Sequence, residues 1–160
     1  MIPVQTLNGP VEIAMRILVL LREAFPRAMD VHRLVLLDYA LLHSSDLGGP
    51  DSIHPAIPGR KGEIGMKRSL IHQGIQVLNR ANLVVTIVDD SGWSYRAAEG
   101  AHSFISCLES AYVAKLIERS SWVVDELGTA SNDYIRNQIN SVFDSWSEEF
   151  DEFHVAGTVK

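Results

Sequence analysis

Six histidines, one cysteine and twenty carboxylates raise the question of a metal or catalytic centre. The histidines, His32, His43, His54, His72, His102 and His154, are scattered along the chain. None pairs with another at the spacing that sets two ligands on one helix face, and Cys107 alone supplies no thiolate cluster. His43, Asp46, Asp51 and His54 share one connection and could converge on a metal if it folds back. The competing reading is that its aspartates and serines set turns. Gly59-Arg60-Lys61-Gly62 has glycines and a lysine but neither the spacing of a phosphate-binding loop nor a preceding strand. No nucleophile elbow is present, and no Ser/His/Asp arrangement is legible. The expectation is a protein that is not an enzyme, with no cofactor and no metal.

Charge recognition is the chemistry that stands out. Arg60, Lys61, Lys67, Arg68 and Arg80 gather around one helical segment of an otherwise acidic chain. At a helix entry, cations and backbone N–H groups add, so a phosphate or an acidic protein surface is the matching contact. A solvated charged face is the alternative. Trp93 and Tyr95 have two readings, as partner contacts on a hairpin or as cover for a core.

The elements that must position these residues can be read in order. Ile2 to Leu7 is a strand or an arm. Asn8 or Gly9 caps a first helix, with Pro10 in its first turn and an end at Phe25 before Pro26. Val11, Ala14, Ile17, Leu18, Leu21 and Phe25 keep to one face; Arg16, Arg22 and Glu23 lie off it. Asp30 caps a second helix from Val31 to His43, apolar on most sides and therefore central. The Gly/Pro/Ser-rich connection from His43 to Arg68 follows, and loops of that length in compact domains bind something or are disordered. A third helix runs from near Glu63 to Ala81, burying Ile64, Leu70, Ile71, Ile75, Val77 and Leu78 and turning Lys67, Arg68, His72 and Arg80 outward.

Leu83 to Val88, Asp89-Asp90-Ser91-Gly92 and Trp93 to Arg96 read as a β-hairpin. Ala97 to Glu109 and Tyr112 to Leu127 read as helices, as does Asn132 to Phe150 under a Ser131 or Asn132 cap. Trp122, Phe143, Trp146 and Phe150 are core or interface residues. The fold class is mainly α with a small β-hairpin: a winged helix-turn-helix core over 1–97 with an inserted loop over 44–62, a helical extension over 98–150 and a tail over 151–160.

With 160 residues and 46% apolar content, the chain can bury a core. The most apolar run, Ile13 to Leu21, is interrupted by Arg16 and too short for a bilayer, so no membrane contact is expected. The amino terminus lacks the pattern of a signal peptide, and a single cysteine forms no internal disulfide; the expected location is cytoplasmic. Residues 1–88 carry nine Lys/Arg against seven Asp/Glu, a balance of +2, and residues 89–160 carry five against thirteen, a balance of −8. The two halves thus suit different partners, or each other, and overall acidity weakens the case for autonomous nucleic-acid binding.

Several stretches together resemble a known family. These are Leu7-Asn8-Gly9-Pro10-Val11-Glu12, the run Leu36 to Ser44, Asp46-Leu47-Gly48-Gly49-Pro50, Ser52-Ile53-His54-Pro55, Pro58-Gly59-Arg60 and the run Arg68 to Leu83. Over about residues 7 to 127 the chain is similar to the middle component of bacterial ABC-three-component systems. In that family this is a small winged-helix-type protein encoded between an SMC/Rad50-like ABC ATPase and an effector, commonly a nuclease; Lamassu-type antiphage systems belong to the group. The resemblance implies a non-catalytic subunit that bridges or regulates the ATPase heads and holds the effector inactive, reaching DNA through the complex. Asp46, Gly48, Gly49, Pro50, His54, Pro58 and Arg60 then contact the ATPase or shape the loop. Lys61, Lys67, Arg68 and Trp93 complete the candidate contact set. A free-standing winged-helix DNA-binding regulator is the alternative.

Overall fold

The computed structural model describes residues 9–54 and 61–156, with side chains over 9–54 and 67–144. Among the described residues, six α-helices and one antiparallel hairpin make up a mainly helical protein. Among the described residues, no helix is long and apolar enough to cross a membrane. The stretch Ile2 to Leu7 and the candidate cap Asn8 lie outside the described residues.

Helix α1 (Pro10–Ala24) starts at Gly9, with Pro10 where its missing N–H costs nothing, and stops at Phe25 before Pro26. It packs mainly against α3 (Lys61–Arg80) and α5 (Ala111–Leu127), and more lightly against α2 (Val31–Leu42), α4 (Ala101–Ser106) and the hairpin. Being surrounded, it buries Val19 and Leu20 as well as Ile13, Ile17, Leu18 and Leu21. The single-face expectation fails at both ends, where Val11 and Phe25 are 66% and 49% exposed. It fails also at Arg16, expected off the apolar face and in fact 2% exposed. Central position is thus shared by α1 and α2.

Helix α2 begins as expected: the Asp30 carboxylate accepts a hydrogen bond from the Arg33 N–H at 2.7 Å. It ends at His43, and a short 3-10 helix, Ser44–Leu47, follows directly. Helix α3 crosses α1 closely because residue 74 is glycine. A Cβ there would lie 2.8 Å from Ile17 Cδ1, 2.9 Å from Ile13 Cγ2 and 3.1 Å from the Ala14 nitrogen.

Strands β1 (Val84–Asp89) and β2 (Gly92–Ala97) pair in register from Val84↔Ala97 to Asp89↔Gly92. Asp89 closes the turn by accepting from the Ser91 N–H, and Gly92 supplies the positive φ of 114°. The segment between α1 and α2 joins this hairpin: Met29 and Tyr95 exchange two backbone hydrogen bonds of 2.8 Å. Tyr95, Val84 and Ala97 face the core, while Trp93 at the far end is 64% exposed.

Helix α4 is shorter than expected because β2 takes the chain through Ala97 and Ala98 then bonds back to Leu83. Ser110 caps α5, which packs on α1 and α2. Helix α6 (Asn132–Ala156) is capped by Ser131 and continues past Phe150, the end expected from sequence. Its Ile135, Ile139 and Phe143 are buried, and it packs on α2 and the 3-10 helix. The side chains of Trp146 and Phe150 lie outside the described residues.

Replacing Gly74 with Val inserts bulk where α3 meets the α1 backbone. We expect a loss of about 1–3 kcal/mol, read by urea denaturation. Unchanged stability would mean that the two helices are not in this close contact.

Candidate interaction site

Three charges buried between helices hold the frame of the site. Asp38 of α2 receives Arg16 Nε of α1 on Oδ1 at 2.7 Å and Arg16 Nη2 on Oδ2 at 3.2 Å. Lys67 of α3 donates to Oδ2 at 3.1 Å. The side chains are 1–2% exposed for Asp38 and Arg16 and 8% for Lys67. Burial alone would raise the Asp38 pKa; the charges of Arg16 and Lys67, with their hydrogen bonds, outweigh it and hold the carboxyl well below the usual carboxylate range. Lys67 Nζ also stands 5.6 Å from the centre of the Tyr39 ring.

Lys67 is therefore a correction to the outward-facing expectation. The turn of α3 that carries it faces α1 and α2, and it is 7% exposed. Its neighbour Arg68 does point outward.

The first part of the long connection is fastened to the protein itself. The Tyr39 hydroxyl donates to Asp46 Oδ2 at 2.8 Å, and Ser44 Oγ donates to the Pro50 carbonyl at 2.8 Å. Gly48 takes the left-handed conformation, φ 76°, which turns the chain back. Gly49 lies flat under Trp122 of α5, so that a Cβ would sit well inside van der Waals contact of the indole. Arg119 Nε donates to the Asp51 carbonyl at 2.9 Å, and His54 Nε2 is 3.0 Å from the Tyr112 hydroxyl. The loop does fold back and brings the His43 and His54 rings to 6.4 Å between centroids. Among the described residues, no group of three or more His, Cys, Asp or Glu is placed to hold a metal ion.

A second cluster lies across the molecule's hairpin side. Arg68, His72, Gln76 and Asn79 of α3, Asp30 and His32 of α2, and Trp93 of β2 line an open groove of about 460 Å³. Trp93 also borders a neighbouring concavity of about 600 Å³, walled by Asp89, Ser91 and the start of α6 at Asn132 and Asp133. Arg33 at this second wall is fully engaged, donating to the carbonyls of Leu127, Gly128 and Ala130 and to Asn132 Oδ1.

The ten candidate residues thus separate. Asp46, Gly48, Gly49, Pro50 and His54 lie in the docked loop, Arg68 and Trp93 share the groove, and Lys67 is interior. Arg60, together with Pro55, Pro58 and Gly59, lies outside the described residues, as does the side chain of Lys61. Of the two hairpin aromatics, Tyr95 is buried core and Trp93 is exposed. The residues that sequence reasoning missed are Asp38, Tyr39, Tyr112, Arg119 and the buried role of Arg16. One signal was available: a lone carboxylate inside VHRLVLLDYALL and a lone arginine inside IAMRILVLL, each amid buried apolar positions, require opposite charges as partners.

No curated protein and no solved structure matches the chain. A family model described as ABC-three component (ABC-3C) system Middle Component 2 matches residues 6–149.

Asp38→Asn leaves two buried cations uncompensated, and we expect a loss of about 3–5 kcal/mol at neutral pH. The folded pKa of Asp38 lies below its unfolded value near ~3.9. Its contribution is therefore complete above the unfolded pKa and is lost as pH falls toward the folded one. Thermal melts from pH 7 downward should show wild-type stability declining below about pH 5 more steeply than that of the variant. Parallel curves would refute the triad. Separately, Gly49→Ala must displace the Trp122 ring; we expect about 1–3 kcal/mol of destabilisation and a shifted tryptophan emission. Unaltered emission and melting would show the loop undocked.

Proposed function

The chain belongs to the ABC-three-component system middle component 2 family, and from that premise we propose a non-catalytic accessory subunit of a cytoplasmic antiphage complex of Lamassu type. In this reading it bridges the heads of an SMC/Rad50-like ABC ATPase and restrains a nuclease effector, and DNA reaches it through the complex. Family membership over residues 6–149 carries the reading.

The order α1, Met29, α2, α3, β1, β2, with Met29 paired to Tyr95, supports a winged helix-turn-helix as its core. In that arrangement α3 takes the recognition position and the hairpin is the wing. Asp46, Gly49 and His54, held against α2 and α5, would present one fixed loop shape to a partner.

One observation favours the alternative, a free-standing DNA-binding regulator. Between Lys67 and Arg80, α3 has no carboxylate, and its exposed positions include Arg68, Ser69, His72, Gln73, Gln76 and Arg80. That reading requires the isolated protein to bind duplex DNA at roughly 50 mM salt, with a slope of about 0.9 per phosphate contact. Affinity purification of the tagged protein, co-expressed with its neighbouring genes, separates the two. We expect a large coiled-coil ATPase to co-purify and charge reversal at Arg60 and Lys61 to weaken its recovery. Recovery of the chain alone, with DNA binding as above, would favour the regulator.

A further inference from the structure

We propose that the two concavities flanking Trp93 form one docking surface for a protein segment from another component of the same system. The segment carries a carboxylate on one side of a large apolar side chain and a cation on the other. This rests on the subunit reading and adds to it which face is used and what chemistry the partner brings.

Trp93 and Val88 are directly opposed across the hairpin and are 64% and 62% exposed, on the same face whose next pair, Thr86 and Tyr95, leads into the core. A cross-strand aliphatic–aromatic pair of this kind is a platform for an apolar anchor, and tryptophan is enriched among the residues that dominate interface energies. The two sides differ in charge. Toward α3, the groove presents Arg68 and His72 on a helix face without carboxylates, and the one aspartate there, Asp30, caps α2 and borders both concavities. Toward α6, the wall presents the exposed Asp89, while Asp133 is ion-paired with Arg136 at 3.0 Å and the nearby Arg33 is consumed by carbonyl oxygens of the α5–α6 turn. Arg68 on one flank of the exposed indole and Asp89 on the other select a segment with the reverse polarity and fix its direction. A nucleic-acid strand fits less well, since phosphates passing Trp93 toward the hairpin turn would meet Asp89, Asp90 and Asp133.

The test uses the co-expressed assembly with Trp93 replaced by the photocrosslinker benzoylphenylalanine, alongside Trp93→Ala and Arg68→Glu. We expect the crosslink to fall on a peptide of another component in which an apolar residue lies between acidic and basic side chains. Each of the two substitutions should weaken capture roughly tenfold. Both sites are exposed, so unchanged melting of the purified variants separates lost docking from lost folding. Crosslinks to DNA or to a second copy of this chain would overturn the proposal, as would capture by both variants at wild-type strength. In that last case the assembly still forms, so the subunit reading stands and only the docking surface falls. Absence of any other component with the wild-type protein would remove both.

Discussion

A carboxylate placed in an apolar interior demands its counter-charges, and Asp38 obtains both from helices distant in sequence. Arg16 is 22 positions before it and Lys67 is 29 after it. The three side chains set the mutual rotation of α1, α2 and α3, because sliding any helix by one residue strands a charge. Apolar packing alone would tolerate such slippage, since these helices are rich in Leu, Ile and Val of similar volume. Ionic pairing can thus select one arrangement even where its net energy is modest. The close crossing at Gly74 is the steric counterpart: it brings α3 near enough to α1 for Lys67 and Arg16 to reach the same carboxylate.

Elements defined by local rules were legible in the sequence. Asp30 at the cap of α2, Pro10 in the first turn of α1 and Asp89 to Gly92 in the hairpin turn each act within a few residues. What was not legible depends on which faces meet. Helical periodicity placed Arg16 and Lys67 outside because it treats a charge as a mark of solvent. Packing on several sides of α1 reverses that mark. Periodicity also put Val11 and Phe25 in the expected core, where the structure leaves them exposed at the two ends of α1.

The candidate residues show a similar division. The Gly/Pro/Ser-rich composition identified the connection, and its glycines have local reasons: Gly48 turns the chain, and Gly49 leaves room for an indole. That the connection through His54 is fastened to α2 and α5 depends on Tyr39, Trp122, Arg119 and Tyr112, whose spacing carries no sign of a shared role. Arg68 and Trp93, separated by 25 positions, share a groove only because the hairpin folds back beside α3.

The two-bond bridge between Met29 and Tyr95 gives the hairpin a mechanical address. Tyr95 is two residues from Trp93, and Met29 immediately precedes the residue that caps α2. A pull on the hairpin tip is therefore transmitted along β2 to Met29, nine residues ahead of Asp38, and then axially into α2. The hairpin and the ionic centre lie along one load path. A force arriving at the tip is thus carried into a central helix through main-chain hydrogen bonds.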